Sequence, residues 1–129
     1  MIAIMNNKLQ ALTRGEEEVM QILWTLEQAT VSEIIDNMSE PKPKYTTVAT
    51  FIKILENKGY VDHNIEGRSH RYFPIVGKDE YASIVTKSLL SDYFGGSLSQ
   101  LVSFFGKKED ISVGEMNEIL NIVEQIKNK

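Results

Sequence analysis

The sequence predicts a mainly α fold with one small β-hairpin, divided into two parts. Three observations predict it. Thr13-Arg14-Gly15-Glu16, Thr30-Val31-Ser32-Glu33 and Ser112-Val113-Gly114-Glu115 each have the Ser/Thr-x-x-Glu form of a capping box, followed by apolar residues at three- and four-residue steps. Two segments, 60–65 and 68–73, lean towards strand and flank Glu66-Gly67 as the arms of a hairpin would. The order is helix, short helix, brief connection, third helix, hairpin, which is the layout of a winged helix-turn-helix. No strand signal follows, so the C-terminal third reads as helices. The division is expected at a winged-helix domain over 1–76 and a three-helix domain over 77–129.

Residues 1–12 read as a loose arm with Leu9 and Leu12 as apolar anchors. The first helix, 14–27, carries Val19, Met20, Ile22, Leu23 and Leu26 as its stripe, acids in its first turns, and Trp24 as a packing residue. The second, 31–38, turns Val31, Ile34, Ile35 and Met38 inward. It stops at Pro41-Lys42-Pro43, because proline and the residue before it disfavour helix. The third ends at Gly59, a C-cap glycine, and seats Val48, Phe51, Ile52 and Leu55 in a core. With Glu66 and Gly67 as turn residues, Asp62 is expected opposite Arg71 and His63 opposite His70. Beyond the hairpin, 79–94 forms a helix with Tyr81, Ile84, Val85, Leu89, Tyr93 and Phe94, broken by Gly95-Gly96. Ser97 caps a short helix with Leu98, Leu101, Val102 and Phe105, and the last helix carries Met116, Ile119, Leu120, Val123 and Ile126.

The outer face of the third helix is unusual. Thr46, Thr47 and Thr50 occupy its first turns and Lys53 follows, although threonine is a poor helix filler. Short hydroxyl side chains let a helix approach base edges and phosphates, and lysine reaches the backbone. The face is therefore expected to read double-stranded DNA, with Lys44 and Lys53 on phosphates and Arg68 anchoring the wing at the backbone or in the minor groove. The net charge of −4 opposes that reading, because phosphate neutralisation supplies most nonspecific affinity. Its distribution favours it. Between Pro41 and Tyr72 six basic residues (Lys42, Lys44, Lys53, Lys58, Arg68, Arg71) meet three acids (Glu56, Asp62, Glu66), a local balance of +3. A winged helix serving as a protein-interaction module without specific DNA binding is the alternative.

Other chemistry has little support. The chain has no cysteine, two histidines and no glycine-rich phosphate loop, so no enzyme, cofactor or disulfide is expected. His63 and His70 would offer a metal pair, with Asp62 nearby, if they faced each other across the hairpin, but two histidines on an exposed hairpin read as solvated residues, and no metal site is expected. No apolar run is long enough to span a membrane and none resembles a signal peptide, so a soluble, cytoplasmic protein is expected. Three small helices bury their stripes poorly alone. They are expected to pair with a second copy through Tyr81, Val85, Leu89, Tyr93, Leu101, Phe105, Ile119 and Val123.

Several segments are similar, in order and spacing, to the penicillinase-repressor family, the BlaI/MecI repressors and their CopY relatives. They are Glu18-Val19-Met20-x-Ile22-Leu23-Trp24, Thr47-Val48-x-Thr50, Leu55-Glu56-Asn57-Lys58-Gly59, Glu66-Gly67-Arg68 with Tyr72, and Tyr93-Phe94-Gly95-Gly96-Ser97 with Leu101-Val102. The resemblance covers Thr13 to Ile126. It implies a homodimeric repressor whose N-terminal winged helix reads a palindromic operator and whose C-terminal helices dimerise. It also implies release by a sensor-linked protease. The family's Asn-Phe cleavage bond falls on Phe104-Phe105, where phenylalanine replaces the asparagine. The cysteine cluster of the copper-responsive branch has no counterpart, and Ala49 stands where family members often carry a longer polar or basic side chain.

Overall fold

A computed structural model of the chain describes residues 12–128. The elements are α1 (Arg14–Leu26), α2 (Val31–Asp36), α3 (Tyr45–Asn57), β1 (Val61–Glu66), β2 (Ser69–Pro74), α4 (Lys78–Phe94), α5 (Leu98–Lys107) and α6 (Val113–Lys127). The expected arm lies outside the described residues except for Leu12, which is buried. Packing separates a unit ending at Val85 from one beginning at Thr86.

Local signals start and stop these helices. Thr13 and Glu16 exchange both capping-box bonds, and so do Thr30 and Glu33. Ser112 makes only the forward bond, accepting from Glu115 N at 3.1 Å, so the expected third box is half formed. The end of α3 is a Schellman turn. Tyr60 N donates to Leu55 O at 2.9 Å and Gly59 N to Glu56 O at 3.1 Å, with Gly59 at φ +84°. The turn sends the Tyr60 ring straight into the core.

That core takes Val19, Met20 and Leu23 from α1, Ile34 from α2, and Val48, Ile52 and Leu55 from α3, with Tyr60 and Val61 behind them. One acid enters it. Glu16 is buried and accepts from Lys58 Nζ at 3.0 Å, which ties the start of α1 to the end of α3. Burial by itself would raise the Glu16 pKa. The Lys58 hydrogen bond, the Thr13 amide and the Lys58 charge together outweigh it and hold the carboxyl below its ordinary value.

β1 and β2 pair antiparallel, and Ala29 adds a third rung by exchanging both backbone bonds with Tyr72. The register corrects the expected hairpin. Glu66 lies opposite Ser69, so Gly67 and Arg68 form the turn, Asp62 faces Phe73 and His63 faces Tyr72. The reason is conformational. Gly67 has φ +61° and Arg68 does not have positive φ, which suits a type II′ turn with glycine in its first central position.

A second correction concerns Tyr81, expected at a subunit contact. It is buried within the N-terminal unit, 5.9 Å from the Trp24 ring and 5.8 Å from Tyr60. Its hydroxyl accepts from Leu12 N at 2.8 Å and donates to Glu17 at 2.9 Å. Burial pushes the Tyr60 and Tyr81 hydroxyls up to about 12. Trp24 is a packing residue that also donates to Val76 O at 2.9 Å. Ile84 and Val85 pack on the same core, so the first turns of α4 belong with the winged helix and the unit runs past the division expected at 76/77.

The second unit is different in kind. None of residues 86–128 is buried. Leu89, Tyr93, Phe104, Phe105, Met116, Leu120, Val123 and Ile126 all leave more than a third of their surface exposed. Leu89, Tyr93, Phe94, Leu101, Phe104 and Phe105 line an open apolar hollow of about 750 Å³. Among the described residues, no helix is long and apolar enough to cross a membrane.

Two outcomes test this account. A Cβ at Gly59 meets nothing within 4 Å, so Gly59→Ala should lose about 1 kcal/mol through backbone conformation alone, read by urea unfolding. The lowered Glu16 pKa contributes stability that is present above its unfolded value and lost as pH falls through the folded one. Lys58→Met removes two of the effects that lower the Glu16 pKa and leaves a buried carboxylate without its ion pair, so it should lose about 1–3 kcal/mol near neutral pH, and the gap from the parent should narrow as the pH falls through the folded value.

Candidate nucleic-acid interface

The burial of one side of α3 decides what its other side can present. With Val48, Ile52 and Leu55 inside, Thr46, Thr47, Thr50 and Lys53 are exposed together, and Ala49 is half-buried at the edge. Thr50 Oγ1 donates to Thr46 O at 2.8 Å, so its proton is committed to the helix and its lone pairs face outward. Thr46 and Thr47 make no such bond among the described residues. α1, α2, α5 and α6 begin on a Thr or Ser cap, whereas α3 begins on Lys44, whose side chain makes no cap bond.

The wing brings Arg68 to the same region. A polar groove of about 280 Å³ is lined by Thr30 and Ser32 of the α2 start, Tyr45 of the α3 start, and Arg68, Ser69 and His70 of the wing. The first turns of two helices and the hairpin tip thus border one depression. Sequence reasoning named Arg68 but passed over Tyr45, Thr30 and Ser32. The capping box at Thr30 held the available signal, since it placed the α2 start and its hydroxyls immediately before the third helix.

The basic residues of this region divide into two sets. Lys42 Nζ donates to the carbonyls of Ile35, Asp36 and Met38, closing the negative end of α2. Lys58 is held by Glu16. Arg71 donates to Glu33 at 2.9 Å and Glu66 at 3.2 Å. Glu66 first, then Glu33, raise its pKa further, while the Thr30 amide and then Arg71 hold Glu33 low. The side chains of Lys44, Lys53 and Arg68 have no ion pair or hydrogen bond among the described residues. Three of the six cations counted in the sequence are therefore structural and three remain open.

The chain matches the penicillinase repressor family over residues 12–125. It is 30% identical over 125 residues to the penicillinase repressor of Bacillus licheniformis, covering 95% of this chain and 96% of that one. It is 30% identical over 122 residues to the methicillin resistance regulatory protein MecI of Staphylococcus aureus strain N315, covering 92% and 98%. Among solved structures, the DNA-binding domain of the repressor BlaI superposes with a TM-score of 0.49 at 28% identity, over 54% of this chain and 87% of that one. The monomeric form of Bacillus licheniformis BlaI in complex with the blaP half-operator gives 0.48 at 27% identity, over 57% and 90%. On its match along almost its whole length and on two near full-length relatives, the chain belongs to the penicillinase repressor family.

Proposed function

We propose that the protein is a transcriptional repressor that binds a palindromic operator as a homodimer. The observation that carries this reading is the pattern of unused groups. Among the described residues, Lys44, Lys53 and Arg68 pair with no acid while their basic neighbours Lys58 and Arg71 do, and they are exposed beside Thr46, Thr47 and Thr50. α3 lies in the major groove. Thr46 and Thr47 face base edges or phosphates, and Thr50 acts as an acceptor because its proton is used within the helix. Lys44 and Lys53 take phosphates, and Arg68 sets the wing against the backbone.

The second copy covers the C-terminal unit. Leu89, Tyr93, Leu101, Phe105, Ile119 and Val123 are exposed or half-buried, and an apolar surface of that extent marks an interface. Twofold pairing places two winged helices on half-sites about one or more DNA turns apart. Each alone binds weakly, so loss of pairing releases the operator. A sensor-linked protease cutting at Phe104-Phe105 would act this way. That bond lies inside α5, so the helix must open locally before it enters a protease.

The DNA arm is tested by anisotropy with the DNA upstream of the protein's own gene at several salt concentrations. Arg68→Ala should weaken binding to every sequence and reduce the salt slope by about one. Thr47→Ala should reduce discrimination against mismatched sites by about 1 kcal/mol. Affinity unchanged in both variants rejects this docking face. A parent that binds no DNA at low salt and captures a protein instead supports the interaction-module reading. The pairing arm is tested by light scattering. The parent should run at twice the chain mass, while Val123→Glu should run as a single chain and lose operator retention with its winged helix still folded.

A further inference from the structure

The junction of α3 and β1 holds a cluster that the DNA reading does not use. Glu56 in the last turn of α3, with Asp62 and His63 at the start of β1, each bring one ligand-type atom to within 4.8 Å of the others. His63 Nδ1 bonds Glu56 Oε2 and lies 4.0 Å from Asp62 Oδ1. Neighbouring strand residues ordinarily point to opposite faces. Asp62 departs from this because its Oδ1 accepts the His63 amide at 2.8 Å, which swings the carboxylate back along the strand.

The imidazole is held from its flanks. His70 stacks on it with centroids 4.4 Å apart and planes 6° from parallel, and the Tyr72 ring stands 5.5 Å away. The Nδ1 edge is left facing two carboxylates. Neither carboxylate has a lysine or arginine within ion-pair distance among the described residues. The site is reachable from solvent, with Glu56, Asp62 and His63 side chains 30%, 60% and 26% exposed.

We propose that Glu56, Asp62 and His63 form a binding site for a divalent transition-metal ion of the zinc class. One imidazole nitrogen and two carboxylate oxygens suit a borderline ion, which leaves a fourth position for water. Bonds of about 2.0–2.2 Å place tetrahedral ligands roughly 3.3–3.6 Å apart. Side-chain rotation suffices to draw Asp62 in and ease Glu56 outward. His70 is not a ligand, because stacked parallel rings have no point lying in both ring planes. The ion neutralises two carboxylates that have no lysine or arginine partner among the described residues. It also ties the end of α3 to the root of the wing, the elements that carry Lys53 and Arg68. The chain has two histidines and no cysteine, so imidazole donors are confined to this hairpin.

The test titrates the metal-free full-length protein with zinc in competition with a chromophoric chelator. One equivalent should bind per chain. Glu56→Gln and His63→Gln should each weaken binding roughly tenfold or more, Asp62→Asn should weaken it too, and His70→Gln should leave it within about threefold of the parent. Circular dichroism verifies the fold of each variant. A parent that withdraws no zinc from the chelator overturns the proposal and leaves an ordinary Glu-His pair. Binding that survives both Glu56→Gln and His63→Gln, or that disappears only with His70→Gln, overturns it equally. None of these readouts involves DNA, so the result is independent of the operator reading.

Discussion

The two-sided character of α3 is the constraint on which the rest of the N-terminal unit depends. Its inner side must be gripped closely enough to fix the direction of its outer side. The grip comes from α1 and α2 through Val48, Ile52 and Leu55, and Phe51 lies against the first turn of α1. There a Cβ on Gly15 would stand 2.5 Å from the Phe51 ring, so any side chain at residue 15 would displace that ring. Lys58 closes the other end of α3 onto buried Glu16. Gly59 then turns the chain so that Tyr60 fills the core and the hairpin starts beside the helix it follows.

Electrostatics in this unit is a matter of allocation. A chain with net charge −4 makes a poor DNA ligand if its cations are spread evenly. Here Glu16, Glu33 and Glu66 each hold a basic residue whose place is structural. The α2 carbonyls hold Lys42. Of the six cations between Pro41 and Tyr72, those left over among the described residues, Lys44, Lys53 and Arg68, sit at the start of α3, on α3 and in the hairpin turn. Internal pairing thus does two things with the same contacts: it fastens helices and strands together, and it concentrates unpaired positive charge.

The helices were legible because their signals are local. Capping boxes, glycine stops and three- to four-residue apolar steps depend on near neighbours, and each helix lies within a few residues of its expected span. What was not legible depended on distant contacts or on alternatives a sequence leaves open. Glu66-Gly67 and Gly67-Arg68 are both acceptable turn dipeptides, and the conformation of Gly67 decides between them. Tyr81 looks like any apolar residue of a helical stripe. Its place in the core rests on Leu12, Glu17, Trp24 and Tyr60, all remote in sequence. The candidate interface was legible as an exposed face of hydroxyls and cations. Which cations stay free was not, because pairs such as Lys58 with Glu16 and Arg71 with Glu33 join residues about forty positions apart.

The C-terminal unit, with no buried residue between 86 and 128, has a further consequence under the proposed pairing. Helices that gain their interior only from another molecule are governed by mass action, so their order depends on abundance. Dilution then acts on this half of the protein much as a denaturant would, while the winged helix, with its own core, is spared. A cell could relax repression by letting the pool of chains shrink, without any ligand binding to them.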